Sequence, residues 1–306
     1  MNNVSNVAPS PLDAAGRARR AHTVVWWRRR SVHRAASRAV SSLIILLGAI
    51  LVLFPIAWML STSLKTVEQT SAIPTIWIPP TPQWQNYLTS LTALPFATYF
   101  RNTGIVTGLS LIGALLSAAL VGYGFARFRA PGKNALFLVV LATLILPAPV
   151  LIIPQFVLFA KLGWVNTFLP LIVPSFFGSG FNIFLLRQFF MTIPRELDEA
   201  AVIDGASFLQ SWWRIALPMS LPALGIVAIF QFIFSWNDFF GPLVYLSYNN
   251  LWTAALGLYG FTGSYGTTDY NLLMAASLVV ALPCIVLFFI AQRYFVQGIV
   301  VSGVKG

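Results

Sequence analysis

The sequence predicts an all-α integral membrane protein with six transmembrane helices. Of its 306 residues, 58% are hydrophobic and only 9% are charged, whereas roughly a quarter of the residues of an ordinary soluble domain are charged. The few charged residues lie at the ends of long apolar runs instead of being spread along the chain. This composition excludes a soluble enzyme.

The predicted spans are the apolar intervals that contain no Asp, Glu, Lys or Arg, because a charged side chain is costly at the bilayer centre. They are residues 39–64, 102–126, 134–160, 162–186, 215–237 and 270–292. Each exceeds the roughly 20 residues that a helix needs to cross the hydrocarbon. Prolines exclude the charge-free interval 69–100 as a span. The Asn- and Gly-rich interval 239–268 leaves a seventh span open as an alternative.

The basic residues predict the orientation of these spans. With the N-terminus inside, sixteen of the nineteen Lys and Arg fall on the cytoplasmic side, and only Lys65, Arg101 and Lys161 fall outside. Basic residues concentrate on the cytoplasmic side of membrane proteins. Both termini of this multi-pass membrane protein are therefore predicted to be cytoplasmic.

Two tails flank the transmembrane region of residues 39–292. Residues 1–38 contain eight Arg and are predicted to be irregular up to Val24. Residues 293–306 form a short C-terminal tail. The net charge of +11 is attributed to topology and to anionic membrane lipid, and not to nucleic acid.

Neither catalysis nor metal binding is indicated. His22 and His33 both lie in the Arg-rich tail, so no span can present a His-based metal site or a serine–histidine pair. Cys284 is the one cysteine. No phosphate-binding loop is present, so no cofactor is expected on this chain. The spans also lack the buried carboxylate of ion-driven transporters, although secondary transport stays open as an alternative.

An acidic cluster marks the segment 191–218, between spans four and five. Four of the eight acidic residues fall there, on the side where basic residues otherwise dominate: Glu196, Asp198, Glu199 and Asp204. The pattern predicts a first helix with acids near its positive N-terminal end, closed by Gly205 in a left-handed conformation. Ser207 and Gln210 predict a capping box that opens a second helix, which stops before Leu217.

Two readings of this segment differ in function. It is either an amphipathic linker at the membrane surface or a docking site, and Ala200 and Ala201 favour docking, because small side chains leave a low face that a partner's groove can approach. Its fixed positions are Glu199-Ala200-Ala201, three residues, Gly205, nine residues, Ile215, one residue, and Leu217-Pro218. This pattern resembles the EAA signature of permease subunits in ATP-binding-cassette (ABC) importers. Agreement over all seven fixed positions favours docking.

The resemblance covers about residues 39–306. Motifs such as Trp236-Asn237-Asp238 are similar to those of the sugar-importing branch, which includes the smaller permease subunit of the maltose importer. The Arg-rich tail is longer than that branch usually has. The resemblance implies the type I importer fold and import of a sugar, an oligosaccharide or a sugar derivative, with a non-sugar solute as the alternative.

The resemblance also implies roles for residues and partners. It assigns coupling to an ATPase to these residues: Glu199, Ala200, Ala201, Asp204, Gly205, Ile215, Leu217 and Pro218. The implied partners are a second, related permease in a heterodimer, two cytoplasmic ATPase subunits that bind ATP and Mg²⁺, and an extracytoplasmic solute-binding protein. The chain itself is implied to be no enzyme.

The solute path is predicted from polar residues in apolar spans. The candidates are Asn182, Gln231, Asn237 and Asp238. Hydrogen bonds between helices are the alternative role for Asn182 and Gln231. Prolines in spans three and four, including Pro147, Pro170 and Pro174, predict breaks whose freed carbonyls must be satisfied by neighbouring helices or a water-filled cavity.

Overall fold

The computed structural model describes the backbone of residues 11–262 and 268–303, and the side chains of residues 37–147, 149–262 and 268–292. The described backbone is helical, apart from turns and one isolated bridge between Thr262 and Thr268. The chain divides into two units, Met1–Met59 and Leu60–Gly306.

The described part of the first unit is most of helix α1, which runs over Pro11–Ser63. Its apolar part, Ser37–Ser63, is long enough to cross a membrane. The prediction of irregular structure up to Val24 is wrong, because α1 begins at Pro11. The sequence after Pro11 is rich in Ala and Arg, which are strong helix formers.

The second unit contains long helices joined by short ones. In chain order they are α2 (Val67–Thr70), α3 (Gln85–Ala93), α4 (Phe96–Arg127), α5 (Lys133–Ala142), α6 (Ala148–Lys161), α7 (Leu169–Ile172), α8 (Gly180–Thr192), α9 (Glu196–Ile203), α10 (Phe208–Ser211), α11 (Leu217–Met219), α12 (Leu221–Trp236), α13 (Phe240–Tyr245), α14 (Ala254–Gly257) and α15 (Tyr270–Gly303).

Four helical stretches of the described residues are long and apolar enough to cross a membrane: Ser37–Ser63, Phe96–Arg127, Leu169–Thr192 and Tyr270–Gln292. Phe208–Met219 and Leu221–Trp236 count as a fifth if this pair, bent by 78°, is one span. The interval 134–160, predicted as one span with proline breaks, is divided into α5 and α6, and Pro147 precedes α6. The described part of 239–268 holds only short helices and no seventh span.

The predicted proline break in span four is confirmed. After α7 the chain forms a 3₁₀ turn over Val173–Phe177, and Gly178 takes a φ of +87° before α8 begins. The neighbouring α4 supplies partners for the freed carbonyls. Ser110 Oγ donates to the Leu171 carbonyl at 3.0 Å. Ser117 Oγ shares its one proton between the Ser175 carbonyl at 3.0 Å and the Gly113 carbonyl of α4 at 2.7 Å.

Helix α4 is at the centre of the second unit, where it packs against α8 and α12. Small residues allow this close contact: a Cβ on Gly122 would lie 3.1 Å from the Arg187 backbone nitrogen. One apolar core surrounds the Arg127 end of α4 and includes Tyr123 and Trp212. A second core surrounds the opposite end and includes Tyr99.

Candidate coupling and solute-path sites

The segment 191–218 folds as the predicted helix–turn–helix. Helix α9 carries three acidic residues in its first turn, at the positive end of the helix dipole. Gly205 has a φ of +80°, as predicted. Its N–H donates to the Val202 carbonyl at 3.0 Å, and the Ala206 N–H donates to the Ala201 carbonyl at 2.8 Å. These two bonds form a Schellman motif, which requires a left-handed residue after the helix.

The capping box of the second helix is confirmed. The Ser207 N–H donates to Gln210 Oε1 at 2.7 Å, and the Gln210 N–H donates to Ser207 Oγ at 3.4 Å. The prediction that this helix stops before Leu217 is wrong, because a π turn carries it into α11 and the bend follows at Ser220. Pro218 lies near the C-terminal end of this continuous helix, where it removes one helical hydrogen bond.

Asp198 anchors the segment to α4. Arg127 Nε lies 2.8 Å from Asp198 Oδ2, with 9% and 23% of the two side chains exposed. The Tyr123 hydroxyl donates to Asp198 Oδ1 at 2.7 Å, and Ser211 Oγ donates to the same oxygen at 3.0 Å. Arg127 Nη2 also donates to the Ile193 carbonyl at 2.8 Å. One carboxylate therefore joins α4, α9 and α10.

This anchor is not predictable from the sequence pattern used above. There Asp198 is one member of the acidic cluster, Arg127 contributes only to the topology, and Tyr123 is not distinguished. A signal was available, because Tyr123 and Arg127 are four residues apart and so lie on one face of α4. What the sequence lacked was the contact between that face and α9.

The predicted coupling residues divide by exposure. Glu199, Ala200, Asp204, Gly205 and Pro218 are exposed, and Ile215 and Leu217 are half-buried. Ala201 is only 7% exposed, so the prediction that both alanines form one exposed face is wrong. The helical spacing places Ala201 against the chain's own interior.

Large apolar side chains lie beside these exposed residues. Val202 is 67% exposed, Ile203 is 86% exposed and Leu209 is 60% exposed. Val202 and Ile203 lie on α9 and Leu209 lies on α10, so both helices of the segment expose apolar side chains. An exposed apolar surface with a polar rim is typical of a protein interaction site.

The four solute-path candidates fall into two places. Asn182 and Gln231 line one cleft of about 610 Å³ between α8 and α12. Phe181 and Phe230 line the same cleft, with their ring centroids 5.8 Å apart. Amide groups beside aromatic rings suit a ligand that has hydroxyl groups and apolar faces.

Asn237 and Asp238 lie at the end of α12, outside the lining of this cleft. Asn237 Nδ2 donates to the Ile233 carbonyl at 2.8 Å. Asp238 Oδ1 accepts from the Gly241 N–H at 3.0 Å. Burial raises the pKa of the Asp238 carboxyl above its ordinary value, and the backbone hydrogen bonds offset part of this rise. Both residues have local structural partners.

No group of three or more His, Cys, Asp or Glu that could hold a metal ion occurs within the described ranges.

The family described as "Binding-protein-dependent transport system inner membrane component" matches residues 110–301. This match includes the helix–turn–helix and both helices that line the cleft. The chain belongs to this family. It is a permease of an ABC transport system in a bacterial membrane, and a separate ATPase hydrolyses the ATP.

Relatives with printed functions support this membership. The chain is 34% identical over 261 residues to the arabinooligosaccharides transport system permease AraQ of Halalkalibacterium halodurans, covering 84% of this chain and 93% of the relative. It is 32% identical to the diacetylchitobiose uptake permease NgcG of Streptomyces coelicolor, covering 83% and 85%. It is 31% identical to the sn-glycerol-3-phosphate permease UgpE of Yersinia enterocolitica, covering 84% and 94%.

A solved structure has the same fold. The permease resembles a chain of a bacterial ABC transporter involved in alginate import, with a TM-score of 0.74, 22% identity, and coverage of 84% of this chain and 95% of that one. A second structure of a bacterial alginate transporter, in complex with its alginate-bound periplasmic protein, gives a TM-score of 0.61 at 18% identity. The type I permease fold is therefore shown for this chain.

Proposed function

We propose that this permease imports a sugar, an oligosaccharide or a sugar derivative by alternating access, driven by an ATPase that docks on the segment 191–218. The observation that carries the proposal is the helix–turn–helix, whose exposed apolar surface is held in place by the buried Asp198 anchor. A mobile linker would not need such an anchor. A surface that transmits force from a partner does.

The proposed topology has six spans with both termini in the cytoplasm. Helices α5 and α6 together form the third span. At 1.5 Å per residue, their 10 and 14 residues extend over about 36 Å, enough for a hydrocarbon layer of about 30 Å. In this orientation the segment 191–218 and both tails, residues 1–38 and 293–306, face the ATPase side of the bacterial inner membrane.

The proposed docking surface consists of the exposed residues around the turn. Glu199, Ala200, Asp204 and Gly205 contact the ATPase in this proposal, and Ala201 supports them from within. Ile215, Leu217 and Pro218 connect the turn to α12. Closure of the ATPase dimer on ATP and Mg²⁺ moves the turn, and the permease changes the side on which its solute path is open.

The proposed assembly contains four kinds of component besides lipid. This chain pairs with a related permease, the pair binds two ATPase subunits, and a solute-binding protein delivers the solute from outside. Nucleic acid is not a partner. Mass determination of the purified complex tests the pairing, and two copies of this chain without a second permease would contradict it.

The proposed solute path uses the cleft between α8 and α12. Asn182 and Gln231 offer amide donors and acceptors there, which suit sugar hydroxyl groups. Asn237 and Asp238 lie further along α12 and are proposed to line the path's end. The relatives named for arabino-oligosaccharides and diacetylchitobiose support a carbohydrate.

Uptake by vesicles that contain the whole complex tests this function. Radiolabelled arabino-oligosaccharides, diacetylchitobiose and glycerol 3-phosphate are offered with the cognate binding protein and with ATP inside the vesicles. The proposal predicts uptake of a carbohydrate that depends on both ATP and the binding protein. Uptake that persists without ATP but follows an ion gradient would contradict it.

A further inference from the structure

Helix α4 is the longest uninterrupted helix of the second unit for which all side chains are described. It contains 32 residues over Phe96–Arg127 and no proline, whereas α6 and α15 each have a proline inside the helix. An uninterrupted helix keeps its hydrogen bonds along its whole length and can move as one body.

The Arg127 end of α4 is bonded to the docking segment. Tyr123 and Arg127 both contact the Asp198 carboxylate, and Arg127 also bonds the backbone that leads into α9. Because these groups are largely buried, salt screens the ion pair only weakly. Displacing α9 without displacing this end of α4 would separate a desolvated ion pair, which is costly.

The opposite end of α4 is bonded to residues 249–257, which we name the distal segment. Asn102, which is buried, donates through Nδ2 to the Asn250 carbonyl at 2.9 Å and to the Trp252 carbonyl at 3.0 Å. Thr103 Oγ1 accepts from the Ala254 N–H at 2.8 Å. The Tyr99 hydroxyl bonds the Asn249 side chain.

The distal segment consists of short turns and so relies on these bonds. It comprises a 3₁₀ turn, two extended residues and the four-residue α14. Gly257 packs directly against the Tyr99 ring, where a side chain would not fit. The backbone of the distal segment is therefore held against α4 at several points and not at one.

We propose that α4 transmits movement of the docking segment to the distal segment. Tyr123 and Arg127 at one end, and Asn102 and Thr103 at the other, are positioning residues in this mechanism. The two sets are 24 or so residues apart, which is about 36 Å along the helix. The proposal rests on the proposed function of 191–218 and adds the route by which ATPase movement crosses the membrane.

The test measures backbone amide hydrogen exchange in the distal segment. The purified complex of this chain, its companion permease and the ATPase is compared with and without ATP, Mg²⁺ and vanadate, so no solute is needed. In the wild-type complex we expect nucleotide to change exchange in residues 249–257. In Arg127→Gln that change falls at least about twofold. Arg129→Gln, at an exposed residue two positions after the end of α4, keeps the full response.

The opposite end provides an independent variant. Asn102→Ala is expected to reduce the response as Arg127→Gln does, whereas Ser110→Ala, which removes an α4 bond to α7, keeps it. The two ends act in series in this proposal. The nucleotide-dependent change in exchange of the double variant of Arg127 and Asn102 should therefore be no smaller than the smaller of the two single-variant changes. Two unrelated local defects at such a separation would add instead.

The outcomes separate the two proposals. A full response in Arg127→Gln, additive losses in the double variant, or no nucleotide-dependent change in the wild type overturns the role of α4. The amount of ATPase that copurifies with each variant is measured in parallel. If the ATPase fails to protect residues 191–218 from exchange in the wild-type complex, the proposed docking function is wrong instead.

Discussion

Gly205→Val perturbs the docking turn through the backbone alone. Gly205 has a φ of +80°, a region that L residues with a Cβ rarely adopt, and a Cβ placed there meets nothing within 4 Å. No steric collision therefore contributes. The expected cost is the conformational one, about 1 to 2 kcal/mol and more for a β-branched residue. This corresponds to a loss of roughly 5- to 30-fold in the population of the docking conformation.

Affinity for the ATPase is the quantity that should reflect this loss. We expect Gly205→Val to insert in the membrane and to pair with its companion permease, and to bind the ATPase about 5- to 30-fold more weakly. Gly205→Asn should recover much of the binding, because Asn tolerates the left-handed conformation. Titration of the purified permease pair with the ATPase measures both.

A matched control exists in the same protein. Gly132 has a φ of +77° and also has nothing within 4 Å of an added Cβ, but it lies before α5 and outside the docking segment. Gly132→Val should therefore leave ATPase affinity unchanged. Wild-type affinity in Gly205→Val, or an equal loss in Gly132→Val, would refute the role of the turn.

Three further predictions concern single side chains. Glu199→Ala should weaken ATPase binding only about twofold, because it removes an exposed charge and keeps the helix; a loss as large as that of Gly205→Val in the same titration would be inconsistent. Ser117→Ala removes the donor to the Ser175 carbonyl and should lower the free energy of unfolding of the complex by about 1 kcal/mol. An unchanged melting temperature would show that this hydrogen bond does not stabilise the break in span four. Because burial raises the pKa of Asp238, the folded state favours the protonated acid, so stability should fall as pH rises from the ordinary pKa of 3.8 through the raised one. Asp238→Asn should remove that fall, and an identical pH profile would contradict it.

Local chemistry made the docking segment predictable from sequence. A glycine after an acidic helix and a serine three residues before a glutamine each specify their own backbone geometry, and both were confirmed at Gly205 and Ser207. Predicted proline breaks were also confirmed before α6 and after α7, whereas α6 continues through Pro154. Span lengths were less predictable, since absence of charge does not show where a helix begins or ends. Helix α4 begins at Phe96, although the predicted span begins at residue 102, after the charged Arg101.

Long-range contacts were not predictable from the pattern. Nothing in the spacing of Asp198 indicates that it contacts Arg127, which is distant in sequence and lies on another helix. The burial of Ala201 has the same origin, because it depends on what packs against α9. The bonds from Asn102 to the distal segment are also separated by a large part of the chain.

Photo-crosslinking from Ala200 tests the docking of the ATPase most directly. Ala200 is exposed on α9, and a photoreactive residue there should capture the ATPase when the complete complex is irradiated in its membrane. The same photoreactive residue in place of Ser71 should capture no ATPase. Ser71 is exposed and follows α2, on the side of the membrane proposed to face outward. Capture of the ATPase at residue 200 alone is the predicted result. Equal capture at both positions, or none at residue 200 in a complex that transports solute, would contradict the coupling role of residues 191–218.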